Sequence, residues 1–270
     1  LPLPENEDEI HQLATTINEL LGRLETSFYQ QKQFTSDASH EMQTPLAAIK
    51  GIIEVLLRKP RTAERYEEKM REVLLQTNRL SQLFDQLLQL ARLESTVLVA
   101  KKEQVLVATT IHKILKVHES LIKSSAIQIQ IDIPSEATVT ADTLLLEMIL
   151  DNLISNALKF TPESGNIYLS SDRSFQAEKP FLQITVKDTG IGIPEAKLPH
   201  IFDRFYQVDD SPTRPGEGVG IGLALTKELV NLLGGEIRVK SPVTGSNKGA
   251  ECRVLLPLQM TAEPIAEGQL

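Results

Sequence analysis

The sequence contains little of what several large protein classes require. It has 270 residues but a single cysteine, Cys252, and no tryptophan. One cysteine excludes a disulfide framework within the chain and a zinc site built on several cysteines. Aromatic residues make up only 4% of the chain, so aliphatic side chains must fill its core. Because hydrophobic residues reach 41%, we expect a folded protein rather than a disordered one.

Basic charge and long apolar runs are also scarce. Asp and Glu total 36 against 28 Lys and Arg, a formal net charge of -8. Nucleic-acid readers usually present a basic face, so we expect no nucleic-acid partner. No uncharged apolar stretch approaches the ~18 residues of a membrane helix, and no signal-peptide pattern opens the chain. Since residue 1 is Leu, we expect part of a longer protein that meets a membrane only through other segments.

The first third of the chain has a helical rhythm. Apolar residues recur every 3.5 positions over 10–24, as in a coiled-coil seam, and continue less regularly to Leu56. Pro60 predicts a break, and Thr62 is a suitable N-cap for a second helix with an apolar stripe over 70–91. A helix of about 49 residues would be roughly 70 Å long and needs a partner. We therefore predict a helical hairpin that forms a homodimeric four-helix bundle.

After Ser95 the rhythm changes to a mixture of strands and helices. Alternating apolar residues predict strands at 127–133, 167–171, 181–187, 236–240 and 250–256, with a short additional strand at 138–140. Helical spacing predicts helices at about 109–123, 142–160 and 220–233. The connection between Pro194 and Gly218 is long enough to predict a functional loop.

A histidine on the first predicted helix is the first candidate for chemistry. A helix advances about 100° per residue, which points His40 away from the seam and into solvent. Thr44 lies one turn further on the same face, Glu41 is adjacent, and Pro45 predicts a kink. These groups suit phosphoryl transfer, because a neutral imidazole is a good nucleophile near pH 7. Thr at position 44 excludes the His-Glu-x-x-His motif of zinc proteases.

Three further segments predict a nucleotide site. Asn152, Asn156 and Lys159 share one polar stripe of a predicted helix, where amide oxygen suits Mg²⁺ and lysine suits phosphate. Asp188 follows a strand and precedes two glycines, so its carboxylate can accept a bond from an exocyclic amine. Glycines over 216–222 open the last helix, where free N–H groups bind phosphate. Alone, each segment is compatible with a solvated face or an ordinary turn.

Together and in this order, these segments resemble the sensor histidine kinases of two-component systems. Residues 8–10, with the seam after them, are similar to the end of a HAMP linker. The other similar stretches are the phosphoacceptor box at 40–46, the N box at 152–159, the adenine-binding box at 188–192, the F box of the lid at 201–206 and the second glycine box at 218–223.

The resemblance implies a multidomain fold. It combines an all-α dimeric four-helix bundle, with one helical hairpin per chain, and an α/β-sandwich ATP-binding domain of the gyrase/histidine-kinase (Bergerat) type. The implied domains are a HAMP-end signalling coiled coil at 1–26, a dimerisation and histidine phosphotransfer domain at 27–95, a catalytic ATP-binding domain at 96–258 and a C-terminal tail at 259–270.

The resemblance also implies residue roles. His40 would take the γ-phosphate of ATP, with Glu41 as base or orienting carboxylate, and Thr44 would orient water in a phosphatase reaction. Asn156 would ligate Mg²⁺, and Asp188 would bond the adenine amine. The other implied nucleotide-binding residues are Asn152, Lys159, Phe160, Gly190, Gly192, Phe202, Arg204, Phe205, Gly218, Gly220, Gly222 and Leu223.

Three positions depart from the family pattern. Gln43 and Gln207 stand where the family often has Arg, and Val219 stands where it often has Thr. Gln207 removes a cation and Val219 removes a hydroxyl near the implied lid. Arg204 and Arg214 remain as the candidate cations of the lid.

The implied function is that of an ATP-dependent kinase that phosphorylates its own histidine. The phosphoryl group would pass to an aspartate of a response regulator, with dephosphorylation of that regulator as a further activity. The implied location is the cytoplasmic part of an inner-membrane sensor. Three alternatives stay open: a net phosphatase, an ATPase of the gyrase or chaperone type with an idle His40, and a scaffold that only dimerises.

Overall fold

A computed structural model describes residues 9–95, 101–176, 178–208, 220–243 and 248–258. The chain divides into two compact units between Leu87 and Leu88. Several predictions lie outside the described residues, namely those for Asp8, Arg214, Gly218, Val219 and the tail at 259–270.

Two long helices occupy the first third of the chain, as predicted. Helix α1 spans Glu9–Leu57 and includes Pro45, and helix α2 spans Ala63–Ser95. Thr62 is the N-cap between them, because its Oγ1 accepts a hydrogen bond from the backbone N–H of Arg65 at 3.4 Å. The N-cap prediction is confirmed, and α1 has the predicted length of 49 residues.

The helical unit leaves apolar side chains uncovered in the single chain. Leu13, Leu20 and Leu24 of the predicted seam are each more than half exposed, and Phe84 of the second stripe is 48% exposed. Exposed apolar rows of this length are typical of a surface that another chain covers. Within the described ranges, none of the helices is both long and apolar enough to cross a bilayer.

The second unit is the predicted α/β sandwich. One layer is a five-stranded sheet, whose strands in spatial order are β2 (Gln128–Asp132), β4 (Asn166–Gln176), β5 (Lys179–Asp188), β7 (Glu251–Pro257) and β6 (Glu236–Lys240). Strands β2 and β4 are parallel, and the other neighbouring pairs are antiparallel. Helix α5 (Thr143–Phe160) packs against α3 (Val107–Val117), α6 (Gly222–Leu232) and β5, and α6 packs against β6. A short helix, α4 (Glu119–Ser124), follows α3.

Helix α5 is the central helix of the sandwich. Its N-cap is Asp142, whose Oδ1 accepts hydrogen bonds from the N–H groups of Leu144 and Leu145. The buried face contains the apolar residues predicted for it, which are Leu146, Leu150, Leu153, Ile154 and Ala157, each at most 3% exposed. Burial of this face leaves the amide side chains of α5 on the opposite face, outside the core.

Several elements differ from the predictions. Strand β1 (Glu103–Leu106) was not predicted, because its sequence does not alternate between apolar and polar residues; only Val105 in it is buried. It pairs with β3 (Thr138–Ala141), the predicted short strand. The single helix predicted at about 109–123 is divided at His118 into α3 and α4. The side chain of His118 forms a hydrogen bond with Asp151 of α5. A short 3-10 helix, Glu195–His200, begins the long connection.

Strand β2 was predicted to be half-buried and is more exposed than that. Ile127, just before it, is 6% exposed, whereas Ile131 is 38% exposed. The reason is its position at the edge of the sheet, which the alternation of Ile residues does not reveal.

Candidate nucleotide-binding and phosphoacceptor sites

The amide stripe of α5 is confirmed as a polar face. Asn152 and Asn156 are half-buried and Lys159 is exposed, while their apolar neighbours on α5 face the core. Among the described residues, the side chain of Asn156 has no hydrogen-bond partner, and no group of three or more His, Cys, Asp or Glu side chains could hold a metal. An amide oxygen fits Mg²⁺, which usually binds few protein ligands together with water and substrate phosphates.

Asp188 lies at the end of β5, with 8% of its surface exposed. Its Oδ1 accepts hydrogen bonds from the N–H of Gly190 at 2.8 Å and from the N–H of Ala250 at 3.1 Å. Both backbone donors use the same oxygen. Within the described ranges, this leaves Oδ2 as the oxygen that can accept a bond from a ligand amine.

Two glycines allow the backbone to close around Asp188. A Cβ on Gly190 would collide with the carbonyl oxygen of Phe160, whose position is set by a 3.2 Å hydrogen bond from the N–H of Ile191. Gly249 has a φ of +84°, and a Cβ there would collide with the carbonyl oxygen of Asp188 itself. Only glycine fits such close approaches, which bring α5, β5 and the start of β7 together at one place.

The surroundings of Asp188 are poorly solvated. Burial raises the pKa of Asp188, and the hydrogen bonds from the backbone of Gly190 and Ala250 oppose that rise only in part. Burial, followed by the charges of Asp188 and Glu251, raises the pKa of the Cys252 thiol to about 12. The thiol therefore stays protonated at neutral pH, which argues against Cys252 as a nucleophile.

Helix α6 begins at Gly222, and residues 209–219 before it lie outside the described part of the chain. Its N-cap residue, Ile221, makes no side-chain capping bond, so within the described ranges no side chain caps the first N–H groups, which suit an anionic ligand. The carboxamide of Asn152 lies against this end: Nδ2 is 2.5 Å from Thr226 Oγ1, and Oδ1 occupies the space that a Cβ on Gly222 would need. The predicted amide stripe and glycine segment are therefore adjacent.

The predicted lid segment also reaches the start of α6. The ring of Phe202 lies 5.4 Å from Lys227 Nζ. Phe205 has a φ of +62°, which is rare for a bulky residue. Gly220 has a φ of +74°, and a Cβ on it would lie 2.6 Å from the carbonyl carbon of Phe205. The half-buried predicted residues here and near Asp188 are Gly192, Phe202, Arg204, Phe205, Gly220, Gly222 and Leu223.

Gly220→Ala is expected to lower the free energy of unfolding by about 2 kcal/mol, since an L-residue is strained at this φ and its Cβ has no room. Gly51→Ala is the matched control, because Gly51 lies within α1 and a Cβ there meets nothing within 4 Å. We expect this control to raise stability by up to about 1 kcal/mol. Urea unfolding, monitored by circular dichroism, measures the stability of both variants. Equal midpoints for Gly220→Ala and wild type would contradict the close contact between Gly220 and the backbone of Phe205.

The predicted phosphoacceptor group lies in the first unit. His40 and Thr44 are exposed one turn apart on α1, and the Thr44 hydroxyl donates to the His40 carbonyl oxygen at 3.2 Å. The Glu41 carboxylate lies 4.0 Å from the guanidinium of Arg79 on α2. Glu41 lies sixteen residues before the end of α1 and Arg79 sixteen after the start of α2, the register of an antiparallel hairpin.

Some residues of the sites were not predicted. Ala250 holds Asp188, Thr226 contacts Asn152, and Arg79 faces Glu41. The spacing of Thr226, one turn after Gly222, was the only local signal among them. The other two contacts join residues far apart in the sequence.

Comparisons with known proteins define the class of both units. The family described as histidine kinase-, DNA gyrase B-, and HSP90-like ATPase matches residues 141–260. The His Kinase A (phospho-acceptor) domain matches residues 30–96. The fold and the matches thus define a phosphoacceptor hairpin followed by an ATPase domain.

The chain belongs to the sensor histidine kinases of two-component systems. It is 32% identical to the sensor histidine kinase CusS of Escherichia coli O6:H1 over an alignment of 238 residues, and this alignment covers 88% of this chain and 48% of CusS. It is 31% identical to the signal transduction histidine-protein kinase ArlS of Staphylococcus aureus strain USA300 over 261 residues, and this alignment covers 94% of this chain and 55% of ArlS. The chain thus spans about half the length of these relatives.

Solved structures share the fold. Histidine kinase ThkA, in complex with the response regulator protein TrrA, aligns with a TM-score of 0.68 and 21% identity over 93% of this chain and 68% of that one. Full-length ShkA in complex with AMPPNP aligns with a TM-score of 0.57 and 26% identity over 81% of this chain and 44% of that one.

Proposed function

We propose that the chain is an ATP-dependent protein-histidine kinase that phosphorylates His40 and passes the phosphoryl group to an aspartate of a response regulator. The observation that carries this proposal is the presence, in one chain, of an exposed histidine on α1 and a buried carboxylate, Asp188, whose Oδ2 makes no hydrogen bond within the described ranges. The relatives are sensor histidine kinases, and ThkA was solved with a response regulator.

The nucleotide would be held by groups from several elements. Asp188 Oδ2 would accept a bond from the adenine amine, and Lys159 would bind phosphate oxygens. Mg²⁺, when bound to Asn156, would neutralise phosphate charge. Gly218, Gly220 and Gly222 would let the backbone approach the phosphates at the start of α6. The remaining candidates, Asn152, Phe160, Gly190, Gly192, Phe202, Arg204, Phe205 and Leu223, would line the site.

At the acceptor, transfer would depend on positioning more than on covalent chemistry. His40 would attack the γ-phosphate in line with the leaving oxygen. Glu41 would take the imidazole proton or orient the ring, and Arg79 would in turn hold the carboxylate of Glu41. An exposed imidazole on a rigid helix suits both the kinase step and the later transfer to a regulator.

The assembly and location belong to the same proposal. The exposed apolar rows of α1 and α2 favour a homodimer in which two hairpins form a four-helix bundle. The chain would be the cytoplasmic part of an inner-membrane sensor kinase. Its domains would be a signalling coiled coil at 1–26, a phosphotransfer domain at 27–95, an ATP-binding domain at 96–258 and a tail at 259–270.

Labelling with ATP tests the proposal. The chain is incubated with Mg²⁺ and either γ-labelled or α-labelled ATP, and protein-bound label is measured after treatment with acid or alkali. We expect label from the γ position alone, stable in alkali and lost in acid, as for phosphohistidine. Label from α-ATP, or none despite nucleotide binding, would reject the kinase proposal.

A phosphatase activity is the second candidate, and the exposed position of Thr44 one turn from His40 favours it. Thr44→Ala is expected to slow dephosphorylation of a receiver domain by at least about tenfold, because the hydroxyl that orients water is lost. Thr35→Ala, at another exposed position of α1, is the control. Release of phosphate from a labelled receiver measures the rates, and equal rates for Thr44→Ala and wild type would reject this activity.

A further inference from the structure

A buried threonine links the two halves of the candidate phosphate site. Thr226 lies on α6 with none of its surface exposed. Its hydroxyl donates a hydrogen bond to the carbonyl oxygen of Gly222 at 3.0 Å. The same Oγ1 accepts a hydrogen bond from Asn152 Nδ2 of α5 at 2.5 Å. One hydroxyl therefore joins α5 to the first turn of α6.

The number of protons decides the orientation of the Asn152 amide. A threonine hydroxyl has a single hydrogen, and the carbonyl oxygen of Gly222 takes it. Towards Asn152 the hydroxyl can then act only as an acceptor, so it must face Nδ2 and not Oδ1. Asn152 Oδ1 is consequently turned towards Gly222, at the N-terminal end of α6.

We infer that Thr226 is a positioning residue that holds the Asn152 amide with its oxygen, rather than its N–H donors, facing the metal–phosphate end of the nucleotide site. The inference rests on the proposed kinase function. An amide oxygen attracts Mg²⁺ or a water bound to it, whereas the NH₂ group of a flipped amide would repel the cation. Thr226 thus favours metal-loaded ATP without touching it.

Thr226→Val tests the inference, since valine has a similar shape and lacks the hydroxyl. Losing one orienting hydrogen bond is expected to weaken Mg–AMPPNP binding about tenfold. Binding of AMPPNP in EDTA, which depends on the adenine contact at Asp188, is expected to stay unchanged. Thr226→Ser retains the hydroxyl and is expected to restore the affinity of the wild type for Mg–AMPPNP.

Two further variants separate orientation from general packing. Thr110→Val removes another buried helical hydroxyl, which donates to the Leu106 carbonyl oxygen, and is expected to leave Mg–AMPPNP binding unchanged. In an Asn152→Ala background, adding Thr226→Val is expected to cause no further loss, because Thr226 acts through Asn152. Calorimetric titration with and without Mg²⁺ gives all the affinities, and thermal unfolding identifies variants that fail to fold.

The outcomes distinguish this inference from the proposed function. Wild type that binds no nucleotide would reject the kinase function and the inference with it. Wild type that binds with a Mg²⁺ preference, together with Thr226→Val that retains this preference, would overturn the inference alone. Equal losses with and without Mg²⁺, or additive losses in the double variant, would also overturn it. If Thr226→Val fails to fold, Thr226→Ala replaces it in the same titrations and is judged by the same outcomes.

Discussion

His40→Gln is expected to remove all protein-bound label from γ-labelled ATP while leaving nucleotide affinity unchanged. Glutamine keeps a polar side chain of similar reach, but its amide nitrogen is not a nucleophile. Because His40 is exposed on α1, the change is expected to alter the free energy of unfolding by no more than about 0.5 kcal/mol. Loss of label is therefore attributable to loss of the acceptor.

His11→Gln is the matched control for the acceptor. It makes the same substitution on the same helix, in the predicted seam region and away from Thr44 and Pro45. We expect it to label as the wild type does. Label that persists on His40→Gln would show that another residue is the acceptor, and label lost from both variants would indicate damage to α1.

Asp188→Asn is expected to weaken nucleotide binding by at least about 100-fold. A site built to hydrogen-bond one group strongly rejects the wrong partner. The asparagine Oδ1 can still accept the bonds from Gly190 and Ala250, but an NH₂ group then replaces the oxygen that would meet the adenine amine. Two donors would face each other, and binding would be lost without loss of the fold.

The same substitution is expected to raise the free energy of unfolding, although it weakens nucleotide binding. Burial raises the pKa of Asp188, so its contribution to stability is present at low pH and lost as the pH rises through the raised pKa. Asp188→Asn is never charged and avoids that loss. We expect the variant to be more stable than wild type at neutral pH and the difference to shrink as the pH falls through the raised pKa.

Urea unfolding across pH, together with calorimetric nucleotide titration, measures both effects. Asp172→Asn, at an exposed position of the neighbouring strand β4, is the control and is expected to change neither quantity. If Asp188→Asn bound nucleotide like the wild type, Asp188 would not be the adenine acceptor. If the stability difference grew as the pH fell, burial would not be the cause of the pKa shift.

Local periodicity predicted the helical parts of the site well. The 3.6-residue repeat of α5 separates a core face from a face with Asn152 and Asn156, and both faces are found as predicted. The 3.5-residue seam and Pro60 likewise predicted α1 and its end. These features depend on residues within a few turns of one another, which is the range over which a helix repeats.

Contacts between distant residues could not be predicted in this way. Thr226 meets Asn152 across 74 positions, and Ala250 meets Asp188 across 62. Such pairs exist only because α5 packs against α6 and β5 pairs with β7. The edge position of β2 and the division of a helix at His118 also depend on tertiary neighbours, which no local pattern reports.

Identification of the labelled residue tests the central claim most directly. The wild-type chain is labelled with γ-labelled ATP and Mg²⁺, digested at neutral to alkaline pH, and its phosphopeptides are sequenced by mass spectrometry. We predict one major site, with the phosphoryl group on the imidazole of His40. A phosphoryl group on any other residue, or an unmodified His40 peptide in a chain that binds ATP, would contradict the account.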